Sequence, residues 1–299
     1  MQPARDMLIL GASPNVGAPL YERVGPSRAL ATWRRAPVEG GVRFDALTDD
    51  LALLLDAHPG IRSAVILYGE THPDRCFADP AGSESLNVDS IRRAIDILRA
   101  RGVFIVFLSS QFVFDGEAGN YVETDPANPV LLYGAQKIRV ERHLEESCER
   151  YAILRLSKSY ADAPGDGTMF CAWADEILGG ARRIRCAADQ IFSPILGRDI
   201  VDAILAVIEG ECRGLYHLCA PGAYRRIEML EILIAELSRH FPVAVDIEPC
   251  SIRDFALPEP RPLDVSMQPA RLIAATGLHF VSIEEACRGI AGRYAAARA

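Results

Sequence analysis

The sequence predicts an α/β fold of the Rossmann type, a doubly wound parallel sheet with a smaller, discontinuous C-terminal part. Three observations predict it. Short apolar runs alternate with amphipathic stretches of helical length through the first half, the first run ends in a glycine turn, and the rhythm loosens beyond Leu156. Short runs that are apolar at every position suit parallel strands buried on both faces.

Taken in order, the expected strands are Met7 to Gly11, Ala29 to Trp33, Val42 to Phe44, Ala64 to Leu67, Val103 to Leu108 and Ala152 to Leu156. Between them, helices are expected at about 16–24, 47–57, 86–101 and 131–149. In the third of these Ile91, Ile95 and Leu98 recur at helical spacing, and Gly102 follows as a C-terminal glycine should. Right-handed crossovers would then wind the strands into one sheet. Residues 1–160, with about 190–218 returning to them, are expected to form the nucleotide-binding domain. Residues 161–189 and 219–299, with loops at Ala161 to Gly167 and Pro258 to Pro262, are expected to build the substrate-binding part, since pockets are usually made by long loops on a rigid sheet.

Composition narrows the function. A net charge of −8 with arginine pairs scattered singly offers no basic stripe for a phosphate backbone, so nucleic acid is not an expected partner. The N-terminal apolar run is too short for a signal-peptide core and no later segment reaches spanning length, which gives a cytoplasmic reading with no membrane partner. Eight cysteines without a Cys-x-x-Cys spacing read as reduced core thiols, and six histidines without a His-x-x-x-His pair give no metal site.

Chemistry enters at the first turn, Gly11-Ala12-Ser13-Pro14-Asn15-Val16-Gly17. The helix start there would offer free N–H groups to a pyrophosphate. Two glycines after a strand are equally a plain turn, and Pro14 contributes no N–H. About 20 residues on, where such folds meet the adenosine ribose, stand Trp33-Arg34-Arg35. Two guanidiniums would fork the 2′-phosphate of NADP; alternatively they are a solvated pair at a strand end. The strongest signal is Tyr133-Gly134-Ala135-Gln136-Lys137, preceded by Leu108-Ser109-Ser110. At a spacing of four, phenol and ammonium share one helix face, and a neighbouring Lys⁺ is expected to lower the phenol pKa.

The stretch Ser109-Ser110-Gln111-Phe112-Val113-Phe114-Asp115-Gly116, then Tyr121 to Asp125, Pro129 and Tyr133-Gly134-Ala135-Gln136-Lys137, resembles the extended short-chain dehydrogenases of the dTDP-4-dehydrorhamnose reductase group. Leu154-Arg155-Leu156-Ser157, Asp189-Gln190, Ser193-Pro194, Asp199-Ile200 and Arg261-Pro262-Leu263-Asp264 extend the resemblance over nearly the whole chain. Pro14, Gln111 and Tyr68-Gly69-Glu70 depart from the family pattern. The resemblance implies a reductase using NADP, with NAD as the other candidate, that acts on a keto group of a nucleotide-linked deoxy-sugar. It implies Ser110 polarising the carbonyl, Tyr133 donating the proton and Lys137 holding the ribose and tuning Tyr133. Gly11, Ser13, Asn15, Val16, Gly17, Arg34, Arg35, Asp45 and Lys137 would hold the cofactor, Asp45 near adenine. Asn87 matches a helix-start Asn of the family, and Arg155 and Arg261 are either diphosphate ligands or ion-paired structural residues, the structural role being preferred. The family often forms homodimers. The alternative is a non-catalytic subunit on the same scaffold, as the regulatory beta subunit of methionine adenosyltransferase resembles it.

Overall fold

The computed structural model describes residues 5–12 and 15–298. Six strands alternate with helices through the first half: β1 Met7–Leu10, α1 Gly17–Val24, β2 Ala29–Trp33, β3 Val42–Arg43, α2 Leu51–Asp56 and β4 Ser63–Ile66. They continue as α3 Pro73–Ala78, α4 Pro80–Glu84, α5 Ser90–Ala100, β5 Phe104–Ser110, α6 Leu132–Ser147 and β6 Tyr151–Leu156. All six strands expected from the sequence form, within a residue or two.

Two of the boundaries that differ have local reasons. Helix α2 begins at Leu51 rather than near 47. Asp45 gathers the chain into a turn instead, its Oδ1 taking the Leu47 N–H at 3.1 Å, and Asp50 then caps the helix through the Ala52 N–H at 2.8 Å. Strand β5 runs on to Ser110, so that the two serines are held in the ladder opposite Arg155 and Leu156.

The second half adds β7 Ser159–Tyr160, α7 Met169–Leu178, β8 Arg183–Ala187, β9 Ile191–Phe192, β10 Ile195–Leu196, α8 Gly197–Glu209, β11 Gly214–Leu218, β12 Tyr224–Arg225, α9 Arg226–Leu237, β13 Asp246–Cys250, α10 Ala270–Thr276 and α11 Ile283–Arg298. Strand β11 was not among the expected strands. It pairs with β6 and completes a seven-stranded parallel sheet in the order β11-β6-β5-β4-β1-β2-β3. The remaining short strands pair two by two outside it.

Alternation along each strand builds two cores, one per face. Ile9, Ala31, Val65, Val106 and Leu154 meet α1 and α8 through Leu20, Ile200 and Ile204. Leu8, Leu10, Ile105, Phe107 and Ile153 meet α2, α5 and α6 through Leu55, Ile91, Ile95 and Leu144. A third core of Phe170, Trp173, Met229, Leu233 and Ile290 joins α7, α9 and α11. Truncating any of these buried leucines or isoleucines to alanine removes about 2–5 kcal/mol. None of the described helices is long and apolar enough to cross a membrane.

Candidate active site

The carboxyl ends of the parallel strands open into a cleft of about 850 Å³, the place where doubly wound sheets present their ligands. Ser110 ends β5 there, its Oγ accepting the Phe112 N–H at 3.2 Å and so turning the chain out of the sheet. Helix α6 starts against this turn. A Cβ at Gly134 would overlap the Phe112 carbonyl oxygen, so glycine lets the helix close onto the loop and brings Tyr133 beside Ser110.

From Tyr133 the face of α6 continues in steps of four to Lys137 and Glu141, all three buried. Each meets the end of β5 or its flanks. The Lys137 ammonium donates to the Leu108 carbonyl at 2.9 Å and lies 4.6 Å from the Phe107 ring centroid and 5.6 Å from that of Tyr133. Glu141 accepts from Ser109 Oγ and is held by Arg155 of β6, whose Nη2 lies 2.8 Å from Oε2 and whose Nε lies 3.2 Å from both oxygens.

Burial governs the electrostatics of this group. Burial pushes the Tyr133 phenol well above the ordinary tyrosine value, Cys76 adds to the rise, and the Ser110 hydroxyl pulls it back. The structure keeps the spacing of four, and in it burial dominates the phenol. Loss of hydration is the largest influence on the phenol, while the hydrogen bond of the Lys137 ammonium goes to Leu108. Lys137 itself is pulled down by burial to about 8, with Glu141 and then Cys76 acting against the fall.

At the other end of the cleft Gly11 adopts φ +93°, its N–H donating to Thr32 Oγ1 at 3.0 Å. A Cβ at Gly11 would lie 2.7 Å from the Tyr68 nitrogen, and one at Gly17 would lie 2.5 Å from the Gly11 oxygen and 2.6 Å from the Ala12 Cα. Gly17 thus serves close packing of α1 on the turn and does not itself line the cleft. Asn15 and Val16 line it, and α1 begins with no side chain capping its N–H groups. Ser13 and Pro14 lie outside the described residues.

Arg34 and Arg35 both line the cleft. Arg34 Nε pairs with Asp45 Oδ2 at 3.0 Å, so Asp45 serves that guanidinium and is absent from the cleft wall; Arg35 is exposed and has no ion pair among the described residues. Asn87 is neither a ligand nor the start of a regular helix. It sits in a π-helical turn, Ser85–Asp89, and its buried amide clamps the loop after β4: Oδ1 takes the Glu70 N–H at 2.8 Å while Nδ2 donates to the Glu70 carbonyl at 3.0 Å and to Gln136 Oε1 of α6 at 2.8 Å. Arg155 is buried in its pair with Glu141, as a structural residue. Arg261 lines the cleft and pairs with Asp74 of α3.

Several residues in or behind the cleft escaped the reading of the sequence. Glu141 continues the four-residue spacing of Tyr133 and Lys137, a signal that was there to be found. Lys158, Gln190 and Arg226 come from the link between β6 and β7, a loop and α9, and no local pattern connects them.

A parallel seven-stranded sheet with a glycine turn after β1, and with Ser, Tyr and Lys grouped at the end of β5, defines an extended short-chain dehydrogenase/reductase scaffold. The model of the family described as RmlD substrate binding domain matches residues 5–295, and the chain belongs to that family. It is similar to dTDP-4-dehydrorhamnose reductase of Salmonella typhimurium, 27% identical over 170 residues that cover 54% of this chain and 56% of the relative. It is also similar to methionine adenosyltransferase 2 subunit beta of Bos taurus, 30% identical over 168 residues covering 54% and 48%. The chain thus spans about half the length of these two relatives. Among solved structures, that of dTDP-4-dehydrorhamnose reductase from Bacillus anthracis in complex with NADP superposes with a TM-score of 0.80 at 21% identity, covering 95% of this chain and 97% of that one.

Proposed function

We propose that the protein is an NADP-preferring reductase of a keto group on a nucleotide-linked deoxy-sugar, with Tyr133 as proton donor. The observation that carries this reading is the grouping of Ser110, Tyr133 and Lys137, all buried, in a cleft that also holds Gly11 and Arg35.

The residues present fit a dinucleotide, because Gly11, Asn15 and Val16 line the cleft where α1 begins with no side chain capping its N–H groups. Gly11, Asn15, Val16 and the start of α1 would take the pyrophosphate, Arg35 a 2′-phosphate and Lys137 a ribose. When bound, the dinucleotide supplies the hydride. The rest falls to side chains. With its pKa raised by burial, Tyr133 keeps its proton at neutral pH and is therefore an acid in waiting, available to a developing alkoxide. Ser110, at the end of β5 with its Oγ accepting the Phe112 N–H, offers a second hydroxyl to the same oxygen, and the two donors stabilise charge only where it develops.

Tyr133→Phe should leave NADPH binding nearly unchanged and lower ketone reduction by at least ~100-fold, the usual contribution of a positioned general acid. Undiminished turnover in that variant removes Tyr133 from the mechanism. NADPH should raise the melting temperature more than NADH at equal concentration.

The second reading is a non-catalytic nucleotide-binding subunit, favoured by the 30% identity to the Bos taurus subunit against 27% to the Salmonella reductase. Binding of NADPH without reduction of any nucleotide-linked keto-sugar supports it.

A further inference from the structure

Of the 32 basic residues in the chain only two are lysines, Lys137 and Lys158, and both line the cleft. Elsewhere the protein uses arginine for positive charge. Lysine is a compact point charge, readily shifted by its surroundings and suited to a single anionic oxygen rather than to a planar fork.

Of the four arginines that line the cleft, Arg34 is answered by Asp45 and Arg261 by Asp74, and Arg35 is exposed at the far end. Lys158 and Arg226 are not answered. Neither has a carboxylate partner among the described residues, although the chain carries a net charge of −8. They also act on one another, since loss of hydration and then the Arg226 charge both disfavour the Lys158 ammonium. Two cations lining one cleft without a counter-charge cost stability, and such an arrangement marks a place where an anion is received.

Their positions are built. The Lys158 N–H donates to Gln111 Oε1 at 3.2 Å, the same oxygen that takes the Ser157 hydroxyl at 2.7 Å, and Gln111 directly follows Ser110. Lys158 is thereby tied to the reacting end of the cleft. Arg226 opens α9, its N–H donating to the Gln190 carbonyl at 2.8 Å and its Nη1 to Gln190 Oε1 at 3.3 Å, with the guanidinium 5.7 Å from the Trp173 ring centroid.

We propose that Lys158 and Arg226 form an anion subsite for the substrate, receiving a charged oxygen close to the reacting carbon. The inference rests on reading the cleft as a sugar-nucleotide site. The oxygen belongs either to a carboxylate on the sugar or to the phosphate that links sugar to nucleoside, and the two sources separate in one experiment.

Calorimetric titration of wild type, Lys158→Met, Lys158→Arg and Arg226→Met with UDP-glucuronic acid and with UDP-glucose, which differ only in the carboxylate, reads the subsite directly. With a carboxylate as the source, wild type binds UDP-glucuronic acid about tenfold more tightly than UDP-glucose, and Lys158→Met abolishes the preference. With the phosphate as the source, Lys158→Met and Arg226→Met weaken both ligands about tenfold alike. Lys158→Arg, which keeps the charge, retains most of the affinity in either case. Variants with wild-type melting temperature and wild-type affinity overturn the proposal, as does a wild type that binds neither ligand at millimolar concentration. The titration contains no redox step. A protein that binds through Lys158 yet reduces nothing therefore loses the reductase reading and keeps this one, and a reductase indifferent to Lys158→Met does the reverse.

Discussion

Lys137 shows how one residue carries both a legible and an illegible part of the site. Its place one turn beyond Tyr133 follows from a spacing of four in the sequence, and the structure keeps it there. Its charge does not follow from spacing, because it is set by what surrounds the ammonium: burial first, against Glu141 and Cys76, for a pKa of about 8. The sign is fixed by that direction. The ammonium is fully present well below pH 8 and is lost as pH rises through it. A reaction needing charged Lys137 should lose kcat/KM along an alkaline limb centred near pH 8, more than two units below where an ordinary lysine would act. A rate profile from pH 6 to 10 checks this, and a profile flat to pH 10 contradicts it. The raised pKa of Tyr133 is no more legible, since desolvation of a buried phenol is a property of the folded surroundings.

Helix α6 was legible almost to the residue, expected at 131–149 and found at Leu132–Ser147. What fastens it was not. Glu141 is pinned by Ser109 and Arg155, Gln136 by Asn87 and Ser83, and Lys137 by Leu108, all partners at least 14 residues away in sequence. Long-range ties of this kind leave no periodicity, and this is also why Asn87 read as a helix start and proved a clamp. The Glu141–Arg155 pair permits a prediction at this scale. Glu141→Gln leaves Arg155 buried without a full counter-charge and should lower unfolding free energy by about 3–5 kcal/mol in urea, whereas Glu141→Leu with Arg155→Met, which removes both charges, should recover most of it. Equal losses in the single and double variants would mean that packing volume, not charge, sets the cost.

Across the whole molecule, His217 shows why β11 was passed over. Gly214-Leu215-Tyr216-His217-Leu218 is a strand with a titratable residue at a fully buried position, and an apolar pattern does not anticipate that. The structure accounts for it. His217 pairs in register with Arg155 of β6, its Nδ1 lies 3.2 Å from the Tyr121 carbonyl, its N–H donates to Glu123 at 2.9 Å, and its ring meets Phe114 edge-on at 5.6 Å. Tyr121 in turn donates its N–H to Ser266 and accepts from Gln268. One imidazole therefore ties the edge of the sheet to segments from both halves of the chain. Burial, reinforced by the Arg155 charge, lowers its pKa to about 3. The unfolded chain takes up a proton near pH 6.5 while the folded protein refuses it until about 3, so stability is present above 6.5 and falls as pH drops through this window. The slope is about 1.4 kcal/mol per pH unit once below 6.5, and down to pH 5 carboxylate titration contributes little. Urea unfolding should show wild type losing about 2 kcal/mol between pH 7 and 5. His217→Phe, which keeps a ring against Phe114 but cannot be protonated, should begin less stable at pH 7 by about 1–3 kcal/mol for the lost bond to Tyr121, and should then change little down to pH 5. Parallel pH dependence in the two proteins would place the acid sensitivity elsewhere in the fold.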